Sequence, residues 1–541
     1  MAERPIHQLF RDLVNGRITR REFMAGAVAT GISASAINIF LRAASVRAQG
    51  MAAPTYATPC AGDACLWAGK SLTVGCIDAS IKVPLDEVRA EFEAATGAKL
   101  TIVADPIEGA FPKLIQDQSS GTNSYNGYQI SMDWLGELVE GDYVLPIDDW
   151  VNDTSGKFPD ISQTIAEEPD SLKQLRSYGG KMYVVPNDCD GQILYYRRDL
   201  LTDDAHRQAF QQEYGYELPV PPQTWDQVLD IAKYFNGKPN GIDGNPISGV
   251  SLHLKVGGQG MFHYASLSAP YVIGPENPKL YWFDPENMNA LVNSEGHRRA
   301  MVMITELFKL GPEAMAGWAL GEAWDYFLKG NAVFTYSWGD VTPLAIERKE
   351  PTVGRLGAAP LPGTMAYVNP KTGEEYKVET PNFVGNTTGG SWSGVVLKSA
   401  PDPDLVYYFW ALMSVPSKQT FYAARGTDGV DPGRTYQYVP PYGTASIDDY
   451  VAQGWDPKDA EEYCGAYKAN YENPLILPYL RIPGANQYWR NAMDTRLSEA
   501  VTGQSTPEEA LKNMAADFEA ITDQMGRDLQ LESYRKSLGL E

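Results

Sequence analysis

An α/β fold divided into at least two lobes is the expectation for this 541-residue chain, and three observations carry it. The apolar run Leu-Thr-Val-Gly-Cys-Ile at 72–77 reads as a buried strand. It is followed by an amphipathic stretch and a second apolar run at 100–103, a strand–helix–strand spacing that requires a parallel crossover. The length exceeds what one core of about 50–250 residues accommodates.

Along the chain, residues 1–48 have the parts of an export signal. Arg20-Arg21 stands in an n-region, 25–41 is uncharged and weakly apolar, and Val46-Arg47-Ala48 offers small residues for cleavage before Gln49. The Arg pair resembles a twin-arginine (Tat) signal, which implies export in the folded state to the periplasm. The 17 uncharged residues, diluted by Gly and Ser, fall short of the roughly 20 apolar ones of a spanning helix. A Pro-, Ala- and Gly-rich leader is expected over 49–69, with Cys60 and Cys65 closing a small loop. Pro84 opens a helix with Leu85, Val88 and Phe92 on one face, and Gly97 ends it. Thr224 with Gln227, and Thr506 with Glu509, are capping boxes. The second precedes an apolar stripe of Leu511, Met514, Phe518, Ile521 and Met525. Pro- and Gly-rich loops are expected at 236–249, 270–285 and 360–390.

Charge and composition exclude several functions. Cleavage of a segment with seven basic and three acidic residues leaves 38 basic against 65 acidic, a net charge of −27. Such a surface repels phosphate backbones and anionic lipid, so no nucleic acid partner is expected. Five cysteines and five histidines show no metal-ligand spacing, and no cofactor or metal is predicted. A Gly-x-Ser-x-Gly elbow, a phosphate loop and a dinucleotide fingerprint are all missing.

With these elements placed, several segments in order from about Lys70 to Gly526 carry a resemblance. They are Asp133-Trp134 with the turn at 141–148; Gly180 to Pro186 followed by Leu194 to Leu200; Phe327 to Ala332 leading to Trp338-Gly339-Asp340; Gly390 to Val396; and Pro483 to Leu511. The chain resembles the extracellular solute-binding proteins of family 1, which include maltodextrin and glycerol-phosphate binders of ABC importers. The resemblance implies a periplasmic-binding-protein-like fold in which crossing strands join two α/β lobes around a ligand cleft. On that analogy lobe one is 70–189 plus 385–425, and lobe two is 190–384 plus 426–541 with the C-terminal helices. Extra length around 203–222, 253–300 and 425–475, and the Tat-like signal, depart from the usual member.

A sugar or polyol combines hydroxyl edges with weakly apolar C–H faces, so its site pairs carboxylates with rings. Where the resemblance puts the cleft, the candidates are Asp78, Asp133, Trp134, Asp188, Asp190, Trp338, Asp340, Gly390, Trp392 and Trp489. Asp78 follows the first strand, and open α/β sheets bind ligands at carboxyl ends. Trp338 and Trp392 are expected as walls of the cleft. Tyr488 and Trp489 point apart on a helix, and Trp489 is the one assigned to the cleft. The predicted function is a monomeric, non-enzymatic ABC solute-binding protein that delivers a sugar, oligosaccharide or polyol to permease subunits. The alternatives are a cationic small molecule held by rings, glycerol phosphate, or a secreted glycoside hydrolase.

Overall fold

Strands buried at nearly every position organise the chain around two main sheets. The structure, a computed structural model, describes residues 60–61 and 64–540; the Arg20-Arg21 pair and the cleavage site before Gln49 lie outside the described residues. In chain order the strands of the two main sheets and one hairpin are β1 (Ser71–Ile77), β2 (Lys99–Asp105), β3 (Gly127–Ile130), β4 (Val184–Val185), β5 (Ile193–Arg197), β6 (Ser248–Val250), β7 (Ala332–Ser337), β8 (Leu356–Ala359), β9 (Thr364–Val368), β10 (Glu375–Asn382) and β11 (Ser393–Val396).

Sheet one runs β2-β1-β3-β11-β4 and sheet two runs β6-β7-β5-β8. The β1–β2 and β1–β3 pairs are parallel, as the strand–helix–strand spacing requires. Both sheets are nevertheless mixed, because β11 pairs antiparallel with β3 and β4, and β5 pairs antiparallel with β7 and β8. These long-range insertions leave no local trace in sequence.

Leu85, Val88 and Phe92 are buried together, and Gly97 closes their helix at φ 72°, where a side chain would be strained. The single helix expected there is divided into Val83–Glu87 and Arg89–Thr96 at Val88, whose N–H turns to the Asp86 and Pro84 carbonyls. Both capping boxes form, opening the helices Trp225–Phe235 and Pro507–Met525. Leu511, Met514 and Phe518 are buried, with Ile521 partly so.

Two expectations are corrected. The end of the leader belongs to the fold, since Trp67 packs edge-on against Tyr408, and the expected disulfide joins Cys60 to Cys65. The segments expected as loops carry structure, since 236–249 reaches into β6, 270–285 starts inside the helix Gly260–Val272, and 360–390 holds the β9–β10 hairpin. The last helix, Arg527–Ser537, is tied to earlier parts of the chain: the Tyr178 hydroxyl donates to the Ser533 carbonyl, and Lys536 pairs with Glu140 at 3.1 Å. Nor is the extra length unstructured. It supplies the helices Asp204–Tyr214, Gly260–Val272, Ile447–Val451 and Pro457–Tyr471.

Lobe one is closed by the helix Pro403–Met413, in which every residue from Leu405 to Met413 is buried. Trp410 lies flat beneath β11 and donates its Nε1 hydrogen to the Val395 carbonyl at 3.0 Å. The ring occupies the space a side chain would take at Gly394, so sheet and helix approach only through bare backbone there. Gly394→Ala is expected to lose about 1–3 kcal/mol of stability through overpacking, measured by urea unfolding; an unchanged midpoint would show that the contact relaxes freely.

Candidate functional site

Strand register brings together residues far apart in sequence. In β3 and β11 Ile130 pairs with Ser393, and in β7 and β5 Ser337 pairs with Ile193. Because both pairings are antiparallel, residues preceding β11 and β5 meet residues following β3 and β7. Ser131 and Asp133 therefore meet Gly390–Trp392, while Trp338 and Asp340 meet 188–192. The chain passes between the sheets at 186–192 and at 386–392, and both stretches are buried throughout.

A dense hydrogen-bond lattice ties these two crossings together. Asn386 accepts the Gln192 N–H at 2.8 Å through Oδ1 and donates through Nδ2 to the Gln192 carbonyl at 2.9 Å. Asn470 accepts the Asn386 N–H at 2.9 Å and donates back to its carbonyl at 2.7 Å. Asp188 accepts N–H bonds from Cys189 (2.6 Å), Asp431 (3.0 Å) and Trp392 (3.2 Å). Asp190 and Ser391 exchange bonds, with Ser391 N–H to Asp190 Oδ2 at 2.8 Å and Asp190 N–H to Ser391 Oγ at 2.9 Å. Gly390 has φ 111°, and a Cβ there would overlap Ser131, so only glycine lets the crossing lie against β3.

The remaining candidates fall at different depths. Asp133 is buried, its carboxylate accepts from the Ser131 hydroxyl, and burial raises its pKa against the opposing charge of Arg490. Trp338 donates to the Thr388 carbonyl at 2.6 Å, with His253 and Phe262 rings at 5.5 and 5.9 Å. Trp392 meets Trp134 edge-on at 5.6 Å. Trp134 also lies against Phe111 and Tyr128, inside the core of lobe one. Trp489 is buried between Phe262, Tyr479 and Trp282, and Tyr488 beside it is buried as well. Asp78 is exposed beyond β1, and Asp340 opens the helix Val341–Arg348 without a side-chain capping bond.

Sequence reasoning missed four residues that the fold adds. Tyr479 feels the Asp133, Asp190 and Arg490 charges and stands beside Ser131. Phe262 lies between Trp338 and Trp489. His253 bonds His263 at 2.8 Å beside Trp338. Asp431, from the added segment, accepts the Gly339 N–H at 3.1 Å and the Tyr467 hydroxyl. Only Arg490, next to Trp489, stood within a motif singled out from sequence. Arg434, by contrast, is spent on a buried ion pair with Glu168 at 2.7 Å, and Arg425 pairs with Glu87 and Asp428. Among the described residues no group of three or more His, Cys, Asp or Glu is arranged to hold a metal ion.

The fold and this convergence agree with what the sequence matches elsewhere. Residues 78–419 match the family model described as bacterial extracellular solute-binding protein. The chain belongs to that family. A relative from Deinococcus radiodurans, called a probable ABC transporter-binding protein, is 22% identical over 272 residues, covering 49% of this chain and 57% of that protein, so the match spans little more than half of its length. Among solved structures, the ABC transporter solute-binding protein of Agrobacterium radiobacter K84 in complex with ribitol has a TM-score of 0.62 at 18% identity, covering 84% of this chain and 99% of that one. That of Agrobacterium vitis S4 with D-mannitol has 0.58 at 15%, covering 85% and 99%. Maltose-bound MalE3 of T. maritima has 0.57 at 17%, covering 84% and 100%. These likenesses establish the shared two-lobe fold. Among the described residues no helix is long and apolar enough to cross a membrane.

Burial pushes the Asp188 carboxyl up to about 6, against its N–H donors and the Arg176 charge; burial and then the Asp188 charge push Asp340 up to about 7. Both values lie above the unfolded value near 4. Their contribution to stability is therefore complete below about pH 4 and is lost as pH rises through 6 to 7. Unliganded protein is expected to lose about 1–3 kcal/mol between pH 5 and 8, followed by thermal unfolding. Asp340→Asn should flatten that slope, and an equally steep slope in the variant would show that Asp340 does not titrate there.

Proposed function

We propose that this protein is the solute-binding component of an ABC importer, that it captures a polyol or sugar between its lobes, and that it delivers the solute to permease subunits. The observation that carries this reading is the convergence of Trp338, Asp133, Asp190 and Tyr479 where β3, β7 and the two crossings meet. Rings suit C–H faces and carboxylates accept from hydroxyls. Polyol and sugar ligands in the solved relatives support the class. Lobe one would comprise 70–189 with 385–425, lobe two 190–384 with most of 426–541, and closure would bend the crossings. Delivery rather than turnover is the expected outcome of capture.

Thermal shift with ribitol, mannitol, sorbitol, tagatose, glucose and maltose tests this directly, since a ligand of the folded state raises Tm. At least one is expected to do so, and calorimetry on Trp338→Ala and Asp133→Asn should show affinity reduced about 5-fold to 150-fold, equivalent to about 1–3 kcal/mol. A flat panel, or parent-like affinity in both folded variants, would remove the reading.

Export to the periplasm through the twin-arginine route is the accompanying proposal, resting on Arg20-Arg21. Changing both to Lys should leave the precursor in the cytoplasmic fraction; unimpaired arrival of mature protein in the periplasm would refute it.

A further inference from the structure

The two sides of the proposed site differ in charge. On one side Asp133 has Arg490 for company. On the other stand Asp188, Asp190, Asp340 and Asp431. Asp188 has a cation acting on it, the Arg176 guanidinium, which donates to the Asp188 carbonyl at 2.6 Å and is itself paired with Glu168 at 2.8 Å. The charges that act on Asp340 are Asp188 and Asp428, both carboxylates, and Asp428 is taken by Arg425. Those acting most on Asp190 are Asp188, Asp431 and Asp340. The groups packed around Asp431 are Tyr467 and Tyr463, with Tyr195 beyond them, so they add hydroxyls and no positive charge.

A second observation points in the same direction and does not depend on carboxylates. The His253 N–H and the His253 ring both meet His263 Nε2, at 3.3 and 2.8 Å. A backbone N–H can only donate, so His263 Nε2 is an acceptor and His253 Nδ1 carries the proton. That fixes His253 Nε2 as a lone-pair acceptor. It is buried beside Trp338 and has no partner. Oδ1 of Asp431 is likewise buried and unpartnered. The wall that runs from His253 past Trp338 to Asp340 and Asp431 therefore holds two unpartnered acceptors, His253 Nε2 and Asp431 Oδ1, and the charges acting on Asp340 are carboxylates alone. An uncompensated buried carboxylate either binds a proton or calls for a cation.

We propose that the solute carries a protonated amino group, as an amino sugar or amino polyol, seated against Asp340 and Asp190 with Asp431 behind them. Its carbon face would lie on Trp338 and its remaining hydroxyls toward Asp133, Tyr479 and Arg490. An ammonium supplies three donors and one charge where a hydroxyl supplies one donor and none. Asp431 enters through the segment that lengthens this chain at 425–475, so the addition also sets specificity. Its helix Pro457–Tyr471 supports the arrangement, because the Tyr467 hydroxyl bonds both Asp431 and the Gly191 carbonyl. The inference rests on the importer reading above and narrows its ligand.

Two matched pairs test it by calorimetry on the mature protein: D-glucamine against D-sorbitol, and D-glucosamine against D-glucose. In at least one pair the amine is expected to bind ten or more times tighter than its hydroxyl twin at pH 7.5. For glucamine the advantage should shrink at pH 5.5, because the carboxyls then hold their own protons. Asp340→Asn should reduce the amine-to-hydroxyl ratio about tenfold, and if that variant does not fold, the pH dependence of the parent decides. A hydroxyl twin that binds as tightly as its amine overturns the inference and leaves the importer reading standing. Failure of all four to bind overturns the inference as well, and if the polyol and sugar panel is also flat, the importer reading falls with it.

Discussion

Everything in this molecule depends on two buried chain crossings lying side by side. A segment that leaves one sheet for another carries N–H and C=O groups that no strand satisfies, and burying them unpaired is costly. Here the partners are side chains. Asn386 bonds both the N–H and the carbonyl of Gln192, and Asn470 does the same for Asn386. Asp188 gathers three N–H groups from 189, 392 and 431. Backbone bonds reach the second crossing only at points such as the Met132 N–H to the Gly390 carbonyl, so side-chain bonds do much to fix the spacing of the two.

The same lattice explains the electrostatics. A carboxylate placed to satisfy backbone N–H groups at a crossing is necessarily buried, and Asp188 and Asp190 sit two residues apart on one such crossing. Asp340 and Asp431 then arrive from lobe two and from the added segment. Burial raises the pKa of all four, and neighbouring carboxylates add to the rise at Asp190, Asp340 and Asp431. The triad of Glu168 with Arg176 and Arg434 lies nearby and absorbs two guanidinium groups internally. One of these, Arg434, also anchors the added segment to lobe one through the Thr164 carbonyl at 3.0 Å. Breaking a buried pair of this kind is expected to be far more damaging than losing a surface pair.

Aromatic residues divide by lobe. Trp134, Trp392, Phe111 and Tyr128 form one group, and Trp338, Phe262, Tyr479, Trp489 and Trp282 another. Adjacent motifs in sequence thus serve different layers. Trp338 closes the crossing by bonding Thr388, whereas Trp489 stabilises lobe two from within. A ring that also makes a backbone hydrogen bond has its orientation fixed, which is what a stacking surface needs.

Local chemistry determined a good deal without the fold. The β1–helix–β2 unit, the glycine stop at Gly97, both capping boxes and the stripe of Leu511, Met514 and Phe518 are legible because periodicity and capping act over a few residues. The motifs around Asp133, Asp190, Trp338 and Gly390 were legible through the family resemblance and not through periodicity. The antiparallel insertion of β11 and β5, the burial of Trp489, and the arrival of Asp431, Tyr479 and His253 at the site were decided only by tertiary structure. Each depends on register between strands or helices separated by tens to hundreds of residues, and a one-dimensional pattern holds no record of which distant carboxylate will be left without a cation.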